Sequence, residues 1–265
     1  SAEQMRFTNS GTEATLMALR VARIVSGKQK VIKFVGHFHG WHDLLTLGNE
    51  PPEEAGGYSL PGLTDGVVGD VVLVPPNDIE AVARAIDEHD PCCVIHEGNG
   101  MRWGVVPAEV EYVQALRQLS ADKGVLFILD EVITGFRVAP GGYQEVCDIV
   151  PDMTTLAKVL AGGLPGGCLT GRADVLDALA FGNSHGQKMK HPGTYNGNPL
   201  SAAAGAAALE VVSTGEPCRH ANEIAAKLRG ELNGLFQQKG IDWISYGRFS
   251  AVKILPEYDG PPSDG

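Results

Sequence analysis

Val125-Leu126-Phe127-Ile128-Leu129 is an unbroken apolar run that ends in two carboxylates, Asp130 and Glu131. A strand without polar alternation is buried on both faces, which is the pattern of the interior of a mostly parallel sheet flanked by helices. In open α/β sheets, ligands bind beyond the carboxyl ends of such strands. A second, shorter β-leaning run, Met153 to Ala157, delivers Lys158 in the same way. An acid and a lysine at the tips of buried strands can meet across one crevice, an arrangement suited to holding a cofactor covalently.

The rest of the chain alternates strand-like and helix-like stretches, with no internal repeat or low-complexity tract, which predicts an α/β fold. Thr15 to Ser26 has Leu16, Leu19, Ala22 and Val25 at helical spacing, with Ser10 or Thr12 as the natural cap and Glu13 in the first turn. No strand or helix is expected before Asn9. Val31 to Val35 is read as a strand, 49–70 as a Gly- and Pro-rich loop, and Val71 to Val74 as a short strand. A helix follows from Asp78 to His89, capped by Asn77 or Asp78. Cys92 to Ile95 is a buried strand carrying His96 and Glu97 to its tip. Ala108 to Lys123 is an amphipathic helix, and Cys168 to Gly171 is expected as an edge strand. An Ala-rich helix from Leu200 to Val212, a helix from Glu216 to Gly240 and two strand-like pieces between Ile241 and Leu255 complete the chain.

Charge narrows the classes of partner. With 21 basic and 32 acidic residues the net charge is −11, which argues against nucleic acid and anionic membrane. No stretch approaches the roughly 20 apolar residues of a membrane span. The five cysteines form no C-x-x-C, so reduced structural thiols in a reducing, cytoplasmic setting are expected. Ser1 to Gln4 has neither the basic nor the apolar run of a secretory leader.

Two stretches, LDEVITGFRVAPGGYQE and PDMTTLAKVLAGGLPGG, resemble the core of class III, fold type I aminotransferases dependent on pyridoxal phosphate, and among them the glutamate-1-semialdehyde aminomutase group. The resemblance covers Met5 to Leu255. It implies that Lys158 forms the Schiff base with the cofactor aldehyde, that Asp130 pairs with the pyridine nitrogen and that Val132 packs against one ring face. Lysine suits the first role because burial or nearby cations lower its pKa; a carboxylate suits the second because a protonated ring is an electron sink.

The resemblance further implies that the Ser10-Gly11-Thr12 turn holds the cofactor phosphate, as a helix N-terminus can. In Phe38-His39-Gly40, Phe38 fills a ring-stacking position where tyrosine is common. Thr194, in the Gly-Thr-x-x-Gly-Asn-Pro stretch, would reach the phosphate of the neighbouring subunit, making the protein a homodimer with a shared active site. The implied activity is amino-group transfer on a small amino acid or an amino-aldehyde or keto substrate, either between molecules as a transaminase or within one as an aminomutase. A cofactor-binding large domain is expected over 1–212 and part of a small C-terminal α+β domain over 213–265. Members of the family carry further sequence at both ends, so the chain is expected to be a fragment. The loop from Glu97 to Pro107 departs from the family between its two ends, and Arg102 within it could grip a carboxylate.

Two other readings compete. His37, His39 and His42 have the spacing of the zinc signature H-x-H-x-D-H of metallo-hydrolases, with Trp41 in place of the aspartate. A non-catalytic homologue acting as a dimerisation module is the other.

Overall fold

The computed structural model describes residues 2–49, 61–186 and 188–260. A seven-stranded sheet is formed by β1 (Gln4–Thr8), β2 (Val31–Phe34), β3 (Val71–Val74), β4 (Cys93–Glu97), β5 (Leu126–Asp130), β6 (Met153–Ala157) and β7 (Gly167–Gly171). Their spatial order is β1-β7-β6-β5-β4-β2-β3. All neighbours from β6 to β3 pair in parallel, while β7 runs antiparallel to both β6 and β1. The apolar runs of β4, β5 and β6 are buried throughout or nearly so, because helices cover both faces. Two buried clusters result, one on each side of the sheet, around Leu19, Ile95 and Ile128 and around Phe34, Phe127 and Leu129.

The main helices are α1 (Gly11–Ser26), α2 (Ile79–His89), α3 (Val110–Asp122), α4 (Pro199–Val212) and α5 (Glu216–Lys239). α1 is capped by Ser10, whose hydroxyl accepts from Glu13 N at 3.2 Å, and α2 by Asp78, which accepts from Ala81 N at 2.8 Å. α4 starts with Pro199 in its first turn behind Asn198, which accepts from Ser201 N. Two short antiparallel strands, β8 (Ile244–Tyr246) and β9 (Lys253–Leu255), form a separate sheet after α5.

Three expectations need correction. Gln4–Thr8 is a strand, so an element does precede Asn9. By pairing with Gly167–Gly171 it removes that strand from the edge, and β7 is an interior strand buried at all five positions. The loop expected over 49–70 contains a helical turn at Asp65–Gly69; its residues 50–60 lie outside the described residues. Within β2, Lys33 breaks the apolar run yet is fully buried. Its Nζ donates to Leu45 O and Asn49 Oδ1, both at 2.5 Å, which ties the segment after the strand to the sheet. Burial pushes this amine down to about 7. No helix among the described residues is long and apolar enough to cross a membrane.

Candidate active site

Parallel pairing sets the register Glu97↔Asp130↔Thr155 across β4, β5 and β6, so the ends of these three strands arrive side by side. The period-2 alternation of a strand then separates the two acids of the central motif. Asp130 faces a cavity of about 330 Å³. Glu131 turns away and is fully buried, accepting from Thr134 Oγ1 (2.7 Å), Tyr143 N (2.6 Å), Gln144 N (3.0 Å) and Gln144 Nε2 (3.1 Å). Those four donors fasten the chain after β5 to the following helical turn. Burial raises the Glu131 carboxyl pKa against the pull of these donors.

The cavity is lined by Ser10, Gly11 and Thr12 at the start of α1, by Phe38 and His39, and by Glu97, Asp130, Val132 and Lys158, among others. Eight of the nine residues singled out from the sequence therefore converge on one space. The ninth, Thr194, stands exposed in the turn before α4 and is not part of this lining.

Asp130 is held from three sides. His39 Nδ1 lies 2.7 Å from its Oδ2, while Val132 N and Thr155 Oγ1 each donate to Oδ1 at 3.0 Å. Burial pushes the His39 ring pKa below its ordinary value, and Asp130 opposes that shift. Lys158 follows β6 directly and has φ of +50°, a left-handed conformation that a lysine adopts only at a cost. Gly162, also left-handed, ends the short turn that Lys158 begins. The cavity is open enough to leave the lysine accessible, yet the surrounding walls lower its amine pKa. Desolvation is the main cause; Asp130 counteracts it and Arg137 reinforces it.

The floor is tightly fitted. A Cβ on Gly11 would stand 2.8 Å from a Val132 methyl, so the start of α1 can lie this close to Val132 only as glycine. The N–H groups of the first helical turn, at Gly11 and Thr12, have no intrahelical acceptor and open an anion site beside the cavity. Glu97 Oε2 accepts from Phe38 N (3.0 Å) and Arg102 N (2.9 Å), which positions the loop bearing Phe38. Phe38 itself is 46% exposed.

The three histidines considered as zinc ligands turn to different partners. His37 Nδ1 accepts from Glu97 N at 3.1 Å, His39 pairs with Asp130, and His42 Nε2 lies 3.3 Å from Thr15 Oγ1. Among the described residues no group of three His, Cys, Asp or Glu side chains is placed to hold a metal ion. Arg102 is likewise engaged elsewhere: its guanidinium donates to Asn49 O at 2.9 Å, and it does not line the cavity. The sequence places Glu97 at a strand tip without assigning it a role, and it does not single out Thr155. The available signal for Thr155 is a hydroxyl three residues before the lysine, on the strand that leads to it.

A largely parallel seven-stranded sheet with an acid and a lysine meeting at adjacent strand ends defines the fold type I class of pyridoxal-phosphate transferases. Residues 1–258 match the model of the class-III aminotransferases, and the chain belongs to that family. It is similar to the glutamate-1-semialdehyde 2,1-aminomutase of Pyrobaculum aerophilum, with 40% identity over 247 residues, covering 91% of this chain and 57% of that protein. The enzyme of the same name from Thermomicrobium roseum is 41% identical over 242 residues, covering 90% and 55%. Among solved structures, an omega-transaminase from Sphaerobacter thermophilus matches with a TM-score of 0.88 at 31% identity, covering 98% of this chain and 61% of that one. A glutamate-1-semialdehyde aminomutase from Pseudomonas aeruginosa in complex with PMP matches with a TM-score of 0.83 at 26% identity, covering 98% and 59%. The chain spans a little over half the length of these curated relatives.

Proposed function

We propose that this chain is the cofactor-binding part of a pyridoxal-phosphate-dependent enzyme that moves an amino group, as a transaminase or as an aminomutase of the glutamate-1-semialdehyde type. The observation that carries the reading is the convergence of Lys158, Asp130 and the first turn of α1 on one cavity. The residues present suit the cofactor. The first turn of α1 supplies N–H groups and the Ser10 and Thr12 hydroxyls for a phosphate. Lys158 supplies an amine, Asp130 a carboxylate, and Val132 and Phe38 apolar surface for a ring. When bound, pyridoxal phosphate supplies an aldehyde that condenses with amines and a ring that delocalises negative charge from the substrate carbon.

In this reading Lys158 would hold the cofactor through Nζ and would move a proton at the substrate carbon. The lowered pKa favours the neutral amine that both tasks need. Asp130, kept in place by His39, Thr155 and Val132 N, would hold the proton on the ring nitrogen. Gly11 lets Val132 press close to the start of α1, and Glu97 sets the loop that brings Phe38 to the cavity. The exposed position of Thr194 fits a role toward the phosphate of a second copy, hence a homodimer with a shared site. We assign 1–212 to the large domain and 213–265 to part of a small one. A cytoplasmic location agrees with five free, buried cysteines.

The test is borohydride reduction of the full-length protein after incubation with pyridoxal phosphate, followed by peptide mass mapping. The cofactor mass should appear on the peptide containing Lys158. Its appearance on another lysine, or on none, would overturn the assignment.

A further inference from the structure

Beside the His39–Asp130 pair lies a second group of polar side chains that the proposed chemistry does not use. His37 and His96 are fully buried and pack edge to face, with ring centroids 4.7 Å apart. Tyr112 lies 6.0 Å from His96, and His39 lies 6.0 Å from His37, all measured between ring centroids. Phe34 adjoins both buried histidines, at 5.1 Å from His37 and 5.0 Å from His96. Buried polar atoms in folded proteins nearly always have a hydrogen-bond partner. Here His37 Nε2, His39 Nε2, both ring nitrogens of His96 and the Tyr112 hydroxyl have none among the described residues. The backbone of Glu97 acts on His96 against the larger effect of burial.

The bonds that are made fix where the protons sit. Glu97 N–H donates to His37 Nδ1, so that nitrogen carries a lone pair. Burial and the neighbouring His96 keep the ring neutral, which places its one proton on Nε2. In His39 the order is reversed. Nδ1–H donates to Asp130, burial favours the neutral ring, and the lone pair is on Nε2. One unpartnered donor and one unpartnered acceptor therefore stand on rings whose centroids are 6.0 Å apart. That separation is too long for a direct bond and suits a single bridging water. His96, whose ring packs 4.7 Å from His37, offers such a water the additional partner that buried waters usually have.

We propose that His37 is a positioning residue for Asp130: its Nε2–H, through one buried water, locks His39 in the Nδ1–H tautomer that donates to the carboxylate. The hydrogen bonds then run in one direction, from the Glu97 N–H through His37 and His39 to Asp130. Each donor satisfies the next acceptor, and no ring can flip its tautomer without stranding a buried group. His96 closes the water site on the side of His37. The functional meaning rests on Asp130 being the partner of a cofactor ring nitrogen; the tautomer assignment does not.

The test has two arms, both on the full-length protein. Long-range ¹H–¹⁵N spectra of histidine-labelled, cofactor-free protein report each ring directly. His39 should be protonated at Nδ1 and His37 at Nε2; the opposite tautomer on either ring overturns the proposal without any variant. In the second arm, His37→Leu should leave His39 in tautomer exchange and weaken pyridoxal-phosphate binding about tenfold, the scale of one hydrogen bond. His37→Gln, which keeps an N–H at similar reach, should restore most of both. Unchanged spectra and affinity in His37→Leu, or equal losses in the two variants, would show that His37 acts through packing and refute the donor role. A wild-type protein that binds no pyridoxal phosphate would refute the proposed function instead, with the tautomer spectra still deciding this inference.

Discussion

Asp130→Asn perturbs the site at its most constrained atom pair. The wild-type carboxylate is 4% exposed and takes Val132 N and Thr155 Oγ1 on one oxygen and His39 Nδ1 on the other. An amide keeps one oxygen for Val132 N and Thr155 but turns its NH₂ toward the Nδ1–H of His39, donor against donor. His39 must then adopt the Nε2–H tautomer, which sets its proton against that of His37, or lose the contact. One buried, charge-assisted hydrogen bond is worth about 1.5–3 kcal/mol. For a chain of this size that corresponds to a fall in Tm of roughly 3–12 °C, readable by calorimetry without cofactor. With cofactor, a neutral partner no longer holds the ring nitrogen protonated. Loss of one such electrostatic contact costs about 10²–10³ in rate, or roughly 2.7–4 kcal/mol. Single-turnover absorbance with an amino donor measures this step apart from product release. A variant that melts with the wild type and turns over at its rate would refute both the hydrogen-bond accounting and the role given to Asp130.

Lys158→Ala and Lys158→Gly should both lose cofactor fixation by borohydride. The glycine variant should be the more stable by about 1 kcal/mol in urea unfolding, because φ is +50° at this position; equal stabilities would show that the backbone is not strained there. Glu131→Ala should destabilise by about 3 kcal/mol or more, since it strands buried donors at Thr134, Tyr143 and Gln144; an exposed-site cost of a few tenths would contradict its assigned role. Burial holds the His96 pKa at about 3, with His39 contributing, so unfolding lets the ring take up a proton at any pH between its ordinary value and about 3. The unfolded state binds more protons in that window, so stability falls as pH drops below about 6.5 and this contribution ends near pH 3. His96→Phe should flatten the slope between these limits by about 1.4 kcal/mol per pH unit; an unchanged slope in chemical unfolding would place the titrating group elsewhere.

What the chain determines locally is legible in the sequence. Runs such as Phe127-Ile128-Leu129 and Met153 to Ala157 become strands because their burial pattern is written in consecutive residues. The caps at Ser10 and Asp78 follow from side chains that reach only three residues ahead. The lysine and the acid stand out in the sequence because each ends such a run. The remaining features depend on partners far apart in sequence. β1 joins β7 across more than 150 residues, so neither its existence nor the interior place of β7 could be read from five residues of mixed polarity. Asp130 and Glu131 are neighbours, and only the pleat and the register with β4 and β6 send one to the cavity and the other to Tyr143 and Gln144. His39 meets Asp130 over 91 positions, and His37 meets His96 over nearly 60. The spacing of His37, His39 and His42 suggests zinc, but each ring turns to a separate partner, because a ring nitrogen can serve only the group that packing brings within about 3 Å.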